Sequence, residues 1–437
     1  MRNNSPKVLF LSSVSPFHGP GATIIDYYNA FRQENIDADF LLCEQEVGDD
    51  RWNYVFEKGR RPLLQRLYTW FNKHILCKRR FFKQKTGHFF FYKYEELPPV
   101  MNRYLLKKIT KKYDLVIVHF WLEMLNFSSI KAIYDKIHCQ FQFLGVDYSQ
   151  MSGGCHFIGD CTGYKDGCRT CEAVTPLWCN NFAAHNVKYR KRVYDEVKPV
   201  VWGNAYMQQF YREAYLLKDA RCETSLPLIN TELFKPLDKA VARKQLDIDE
   251  SAFVLSFGSQ KLNDERKGIK YLIRALNVLS AMLDEEERSK VLVLTAGDTK
   301  GELEKQIPFK QKNLGYLKTE QLVQFYSASS VFLSPSVNDA GPLMVNHSLS
   351  CGTPVVAFEM GTALDCVKGH NTGFCVELRN ADAFADAVCK LFRMPAAEYD
   401  GMCADCREYA QMHYSYKEKV KHLLEVFNKY AGQGKKA

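Results

Sequence analysis

No run of apolar residues in this 437-residue chain approaches the ~18 that a membrane span needs; the strand-like runs at 8–11 and 115–118 stop far short. The opening Met1-Arg2-Asn3-Asn4-Ser5-Pro6 leads into too short an apolar stretch for a secretory leader and has no small-residue cleavage site, which predicts a cytosolic protein. No low-complexity segment and no short internal repeat is present, which excludes fibrous and solenoid architectures. Fifteen cysteines form no obvious disulfide framework, and in a reducing compartment they read as thiols or metal ligands. What is present is an ordinary globular composition, 46% hydrophobic and 25% charged, with enough chain for two or three domains.

The charge is unevenly spread. Residues 1–200 hold 29 Lys+Arg against 20 Asp+Glu, whereas 201–437 hold 30 against 30, so the whole +9 lies in the first half. That excess points to an anionic partner, with lipid, sugar-nucleotide and nucleic-acid phosphates all candidates. No nucleic-acid-binding motif accompanies the charge, which disfavours the last.

Apolar strand patterns at 7–13, 39–42, 115–118, 140–145 and 199–202 alternate with helical patterns, and the grammar returns at 253–257, 291–296, 331–334 and 354–358. This is βαβ alternation, and it predicts an α/β protein of two doubly wound, Rossmann-like parallel-sheet domains facing a cleft. The expected division is a first domain over 1–203, a second over 204–405 and a C-terminal helical segment over 406–437. In such sheets ligands bind outside the carboxyl ends of the strands, so the loops after strands are where chemistry is expected.

Two such loops stand out. Asp264-Glu265-Arg266-Lys267-Gly268 follows the strand at 253–257 with its Gly258 turn and opens a helix. A lysine just before a helix N-terminus adds a cation to amides that already favour an anion, which suits a diphosphate. Pro335-Ser336-Val337-Asn338-Asp339-Ala340-Gly341-Pro342 leads into a helix from Leu343, with His347 eight positions after Asp339. Gly341 permits close backbone approach, a carboxylate suits paired sugar hydroxyls, and an imidazole can bond a ribose. The alternatives are an N-cap for Asp339, a helix-packing role for His347 and a solvated loop charge for Lys267.

The chain resembles the GT-B retaining glycosyltransferases of family 4, of the capsular and exopolysaccharide type. The likeness is carried by Ile-Asn-Thr-Glu-Leu-Phe-Lys-Pro at 229–236, Gly-Tyr-Leu-Lys-Thr-Glu-Gln-Leu at 315–322 and Phe-Tyr-Ser-Ala-Ser-Ser at 325–330. It continues through Pro335-Ser336, Cys-Gly-Thr-Pro-Val-Val at 351–356, and Gly361-Thr362 to Gly373. The resemblance implies transfer of a sugar, with retention, from a nucleotide donor bound by the second domain to an acceptor bound by the first. A growing, lipid-linked glycan is the expected acceptor, and no metal is needed for catalysis. Lys267, Asp339 and Asp147 are the implied catalytic residues. Gly19, Gly21, Gly258, Arg266, Lys267, Asp339, Gly341, Pro342, Leu343 and His347 are the implied donor contacts, with His119 a further acceptor-side candidate.

The sequence also departs from that pattern. The family's two glutamates fall on Asp339 and His347, its usual arginine falls on Ser259, and its first-domain histidine aligns with Val146, beside Asp147. A non-catalytic scaffold for a partner transferase and a nucleotide-sugar epimerase are therefore the alternative functions.

Two further segments carry a message of their own. Cys155, Cys161, Cys168 and Cys171, spaced C-x5-C-x6-C-x2-C in a glycine-rich stretch, form a cysteine-rich insert over 151–175. Four thiolates can close a structural zinc site; the other reading is reduced, unligated cysteines. Residues 58–85 contain ten Lys+Arg and no acidic residue, with Leu64, Leu67, Phe71 and Ile75 at helical spacing. A basic amphipathic helix can lie on an anionic membrane, predicting a peripheral association with the inner face of the plasma membrane; the alternative is a helix packed on its own domain.

Overall fold

The computed structural model describes residues 5–13, 20–45, 52–76, 83–84, 89–90, 94–171, 174–175, 181–225, 227–261, 264–298 and 304–431. The chain forms two compact units. The first comprises 1–203, 207–225 and 416–437, and the second comprises 204–206 and 226–415.

The first unit is built on seven strands: β1 (Val8–Ser12), β2 (Ala38–Glu44), β3 (Asn53–Phe56), β4 (Leu115–Val118), β5 (Gln140–Phe143), β6 (Val200–Gly203) and β7 (Arg221–Thr224). They pair in the order β7-β6-β5-β4-β1-β2-β3, and every pairing is parallel. The chain leaves β1 toward one edge and returns at β4 to build the other, so the topological switch point lies between β1 and β4. Two short antiparallel pairs join the basic segment to the cysteine-rich insert. Lys83–Gln84 pairs with Val174–Thr175, and Phe89–Phe90 pairs with Cys155–Phe157.

The second unit carries six strands: β8 (Phe253–Lys261), β9 (Val291–Asp298), β10 (Lys310–Asn313), β11 (Val331–Ser334), β12 (Val355–Phe358) and β13 (Gly373–Val376). Their order is β10-β9-β8-β11-β12-β13, again with all pairings parallel. Its switch point lies between β8 and β11. Neighbouring residues enter opposite cores: Leu255, Val293, Leu333 and Val356 pack on one face, and Val254, Leu294, Phe332 and Val355 on the other. Because both faces are covered, these strands read as continuous apolar runs.

The central strands agree with the alternation expected from sequence, whereas several edge strands escaped it. Arg-Cys-Glu-Thr in β7 and Lys-Gln-Lys-Asn in β10 contain no apolar run, because an edge strand is half solvated and needs only one partner. The first unit extends past residue 203 to take in 207–225. Helix Ala396–Tyr414 runs unbroken through residue 405, and the separate helix Tyr416–Ala431 belongs to the first unit. There Tyr416 Oη donates to Asp26 Oδ1 at 2.7 Å, and Leu423 O accepts from Gln142 Nε2 at 3.3 Å.

Candidate functional site

At the switch point of the second sheet, the loops following β8 and β11 lock together. Val337 N and Asn338 N donate to Arg266 O at 2.8 and 3.3 Å. Gly268 sits at φ +71°, and a Cβ placed on it would lie 1.8 Å from Pro335 O, so the contact requires glycine. Asp264 caps the short turn by accepting from Arg266 N at 3.1 Å, and its other oxygen takes Arg266 Nη2 at 2.5 Å. Arg266 is thereby tied back to its own loop.

Lys267 is turned the other way. Its Nζ donates to Asp339 Oδ2, while Asp339 Oδ1 accepts from Gly341 N at 3.2 Å. Burial alone would raise the Asp339 carboxyl, but the Lys267 charge and hydrogen bond, with the Gly341 amide, hold it below the usual carboxylate range. Gly341 lies beside Asn204, whose Nδ2 donates to Ala340 O at 2.6 Å. Pro342 then opens the helix Leu343–Ser350 with no side-chain cap, leaving first-turn amides as donors for an anion. Gly258, at the end of β8, faces the same helix, since a Cβ there would meet Met344 Cε at 2.3 Å. Lys267, Asp339, Gly341, Pro342, Leu343 and Gly258 are thus assembled around one pair of loops.

His347 is held against an aromatic neighbour. Its ring stacks on Phe234 with centroids 3.9 Å apart and planes within 4°. Burial pushes its pKa down to about 3, so the imidazole is neutral at physiological pH. Its Nδ1 has no hydrogen-bond partner among the described residues. Phe234 was not among the expected contacts; the residues at 229–236 carry family likeness, but nothing in their spacing places Phe234 on His347.

At the first sheet's switch point, β1 and β4 are followed by Ser13 and His119. Ser13 N and Oγ both donate to Phe120 O, at 2.9 and 2.6 Å. His119 is buried, its pKa lowered to about 4 by desolvation despite the opposing field of Asp147, and its Nδ1 lacks a partner among the described residues. Asp147, after β5, is buried with Oδ2 2.7 Å from His156 Nδ1 and Oδ1 accepting from Ser149 N at 2.7 Å. Burial raises the Asp147 pKa, but His156 and Ser149 outweigh it and hold the carboxyl below its ordinary value. His156 arrives from the cysteine-rich insert, where it stands next to Cys155 in the sequence, and its pairing with Asp147 escaped the sequence reading because no motif links the two.

Arg190 anchors this loop. Its Nε and Nη2 lie 2.9 and 2.5 Å from Glu95 Oε1, and Nη1 donates to Ser149 O and Ser152 O. Gly19 lies outside the described residues, and Gly21 falls in the first turn of helix Pro20–Gln33.

In the insert, Cys155, Cys168 and Cys171 are buried and Cys161 is partly so. Cys168 Sγ accepts from Gly153 N and Cys161 Sγ from Gly163 N, each at 3.3 Å. Burial and the neighbouring thiols push Cys155 well above its ordinary pKa, and burial takes Cys168 to about 12. Among the described residues, no three His, Cys, Asp or Glu side chains are placed to hold a metal ion. Cys406, of the pair Cys403 and Cys406, is a helix-packing residue with no exposure, its Sγ on Thr372 O at 3.5 Å.

In each unit, βα loops gathered at the switch point of a doubly wound parallel sheet define the class. The chain has the GT-B glycosyltransferase fold, and residues 252–394 match the family described as Glycosyl transferases group 1. Over 97% of its length it superposes on sucrose-phosphate synthase from Thermosynechococcus elongatus, with TM-score 0.67, 16% identity and 98% of that chain covered. Anabaena HepE, solved in complex with UDP and glucose, matches with TM-score 0.63 and 15% identity over 97% of this chain and all of that one. Among curated proteins, the D-inositol 3-phosphate glycosyltransferase 1 of Catenulispora acidiphila is 29% identical over 220 residues, 47% of this chain and 51% of that protein. The Corynebacterium urealyticum D-inositol 3-phosphate glycosyltransferase is 28% identical over 335 residues, 72% of this chain and 71% of that protein. The chain spans about half the length of the first of these relatives. The matched span includes Lys267, Asp339 and His347.

Proposed function

We propose that the protein is a nucleotide-sugar-dependent glycosyltransferase. The observation that carries this is the Lys267–Asp339–Gly341 constellation at the second sheet's switch point, inside the span that matches Glycosyl transferases group 1. A nucleoside diphosphate entering there competes with Asp339 for the Lys267 ammonium, and the uncapped amides of helix Leu343–Ser350 take further phosphate oxygens. The Asp339 oxygen released from Lys267 becomes an acceptor for donor-sugar hydroxyls. His347, neutral and held against Phe234, offers a ribose an uncharged hydrogen-bonding group.

In the transfer step the bond from the sugar's anomeric carbon to the diphosphate breaks, a glycosidic bond to an acceptor hydroxyl forms, and the hydroxyl proton passes to the departing diphosphate. Negative charge grows on the diphosphate, where Lys267 and the helix amides act. The reading includes retention of configuration and an acceptor that is a lipid-linked capsular or exopolysaccharide glycan bound by the first unit, both carried over from the resemblance. The basic segment 58–85 supports an acceptor presented at a membrane. Among the described residues no helix is long and apolar enough to cross one. Zinc has no part in the step as proposed; elemental analysis of the purified chain decides between a structural zinc on Cys155, Cys161, Cys168 and Cys171 and reduced thiols.

Calorimetry with a panel of nucleoside diphosphates and their sugars, starting from UDP-glucose, tests the donor site. Selective binding that Lys267→Ala weakens is the expected result, and absence of binding to the folded protein overturns the reading. Binding without transfer to any acceptor indicates a scaffold, and sugar conversion without acceptor an epimerase.

A further inference from the structure

The helix Leu63–Phe71 and the turn that continues it to Leu76 are mounted inside out. Helical spacing places Leu63, Leu64, Leu67, Trp70, Phe71 and Ile75 on one face, and a soluble protein ordinarily turns such a face to its core. Here these six side chains are 44–69% exposed, half of the twelve large hydrophobic residues exposed among the described residues. The residue the helix buries is Gln65, with no exposure. Gln65 Nε2 donates to Thr69 Oγ1 and Pro99 O, both at 3.0 Å, and its Oε1 accepts from Met101 N at 2.9 Å. The helix is thus fixed to the first unit by an amide on its polar side, and its apolar side points away.

The charge around this face is of one sign. Within 58–76 every charged side chain is basic. Arg60 and Arg61 meet Glu57 and Glu44 at 2.8 and 3.1 Å. Arg66 and Lys73, which flank the apolar stripe, have no acidic partner among the described residues. A second copy of the chain is a poor occupant, because an isologous contact would face one basic patch with another. An anionic bilayer satisfies both features, taking the apolar side chains below the headgroups and the basic ones among the phosphates.

We infer that Leu63–Leu76 is a membrane-docking element that inserts Leu63, Leu67, Trp70 and Phe71 into the interface of an anionic lipid bilayer, with Arg66 and Lys73 selecting for negative headgroups. This deepens the proposed lipid-linked acceptor reading, but its test does not depend on activity.

The full chain is floated with phosphatidylcholine vesicles and with vesicles that also contain phosphatidylglycerol. Binding to the anionic vesicles is expected, with Trp fluorescence quenched by brominated lipid in the wild type and less so in Trp70→Phe. The double variant Trp70→Glu/Phe71→Glu is expected to weaken binding by about tenfold or more, and Arg66→Glu/Lys73→Glu to abolish the preference for anionic lipid. Unchanged thermal melting and unchanged nucleotide-sugar binding show that the variants fold, and keep failure here distinct from failure of the transferase reading. No flotation of folded wild type, flotation indifferent to the Glu variants, or a dimer that those variants dissolve without any vesicle binding each overturns the inference.

Discussion

The two units repeat one architecture and gather their switch-point residues in opposite ways. In the second, the groups come from two short loops, 264–268 and 335–342, and lock through backbone contacts such as Val337 N to Arg266 O. In the first, Asp147 takes its partner His156 from nine positions further on, inside the cysteine-rich insert, and the loop between them is held by Arg190, reaching across from helix Asn181–Val197 to Glu95. Each site contains a carboxylate held charged by one basic partner. In the second unit that partner is also the cation available to a ligand; in the first, the supporting arginine is buried and fully committed. Loops that directly follow neighbouring strands thus give a site that a family pattern can record, whereas a site set in an insert rests on buried polar contacts.

This difference can be broken experimentally, most severely at Arg190. Both members of the Arg190–Glu95 pair are about 93% buried, and removing one partner of such a pair leaves a buried charge uncompensated. Arg190→Met is therefore expected to cost about 3–5 kcal/mol, read by urea denaturation. The loss should fall on the first unit, leaving nucleotide binding by any still-folded fraction unchanged. A smaller effect on stability and a larger one on ligand are expected for Lys267→Ala. Loss of one charge-assisted contact should weaken nucleoside-diphosphate binding by roughly 10–100-fold, measured by calorimetry, whereas His156→Ala should leave that affinity as it was.

Acid separates the units further. His347 is depressed to about 3 and His119 to about 4, both by burial. The unfolded chain therefore takes up their protons first, and stability present above about pH 6.5 is lost as pH falls toward the folded values. Asp26 in the first unit is raised by burial to about 6, with the Tyr416 hydrogen bond opposing. Its protonated folded form adds stability as pH falls from 6 toward 4, which offsets His119. Among its described residues the second unit has no such counterweight to His347, so it should lose stability at up to about 1.4 kcal/mol per pH unit between 6.5 and 4. Denaturant titrations across that range should show the slope, and His347→Phe should flatten it. Asp26→Asn should expose a matching slope in the first unit.

The smallest expected change is at Gln65. Gln65→Ala removes the amide that seats an exposed helix, at a cost of about 1–2 kcal/mol. Faster amide exchange confined to 63–71, with global stability almost unchanged, checks it.

Much of the fold was legible because buried parallel strands must be apolar on both faces. The runs at 8–11, 115–118, 253–257 and 331–334 announce the centre of each sheet, while β7 and β10 do not announce its edges. The second unit's site was legible for the same local reason: Lys267, Asp339 and Gly341 lie in loops directly after strands. Sequence could not show that Asp339 is already occupied by Lys267 and Gly341, or that His347 is neutral and stacked on Phe234, because both depend on what lies across the loop. The periodicity of 63–75 named an amphipathic helix correctly and could not say which way it faces. Period and composition are properties of the chain alone, so the sequence determined the strands, the helix and the loop chemistry. Orientation, burial and the pairings of His156, Arg190 and Gln65 were decided by tertiary packing, where a side chain's surroundings set its charge and the face it presents.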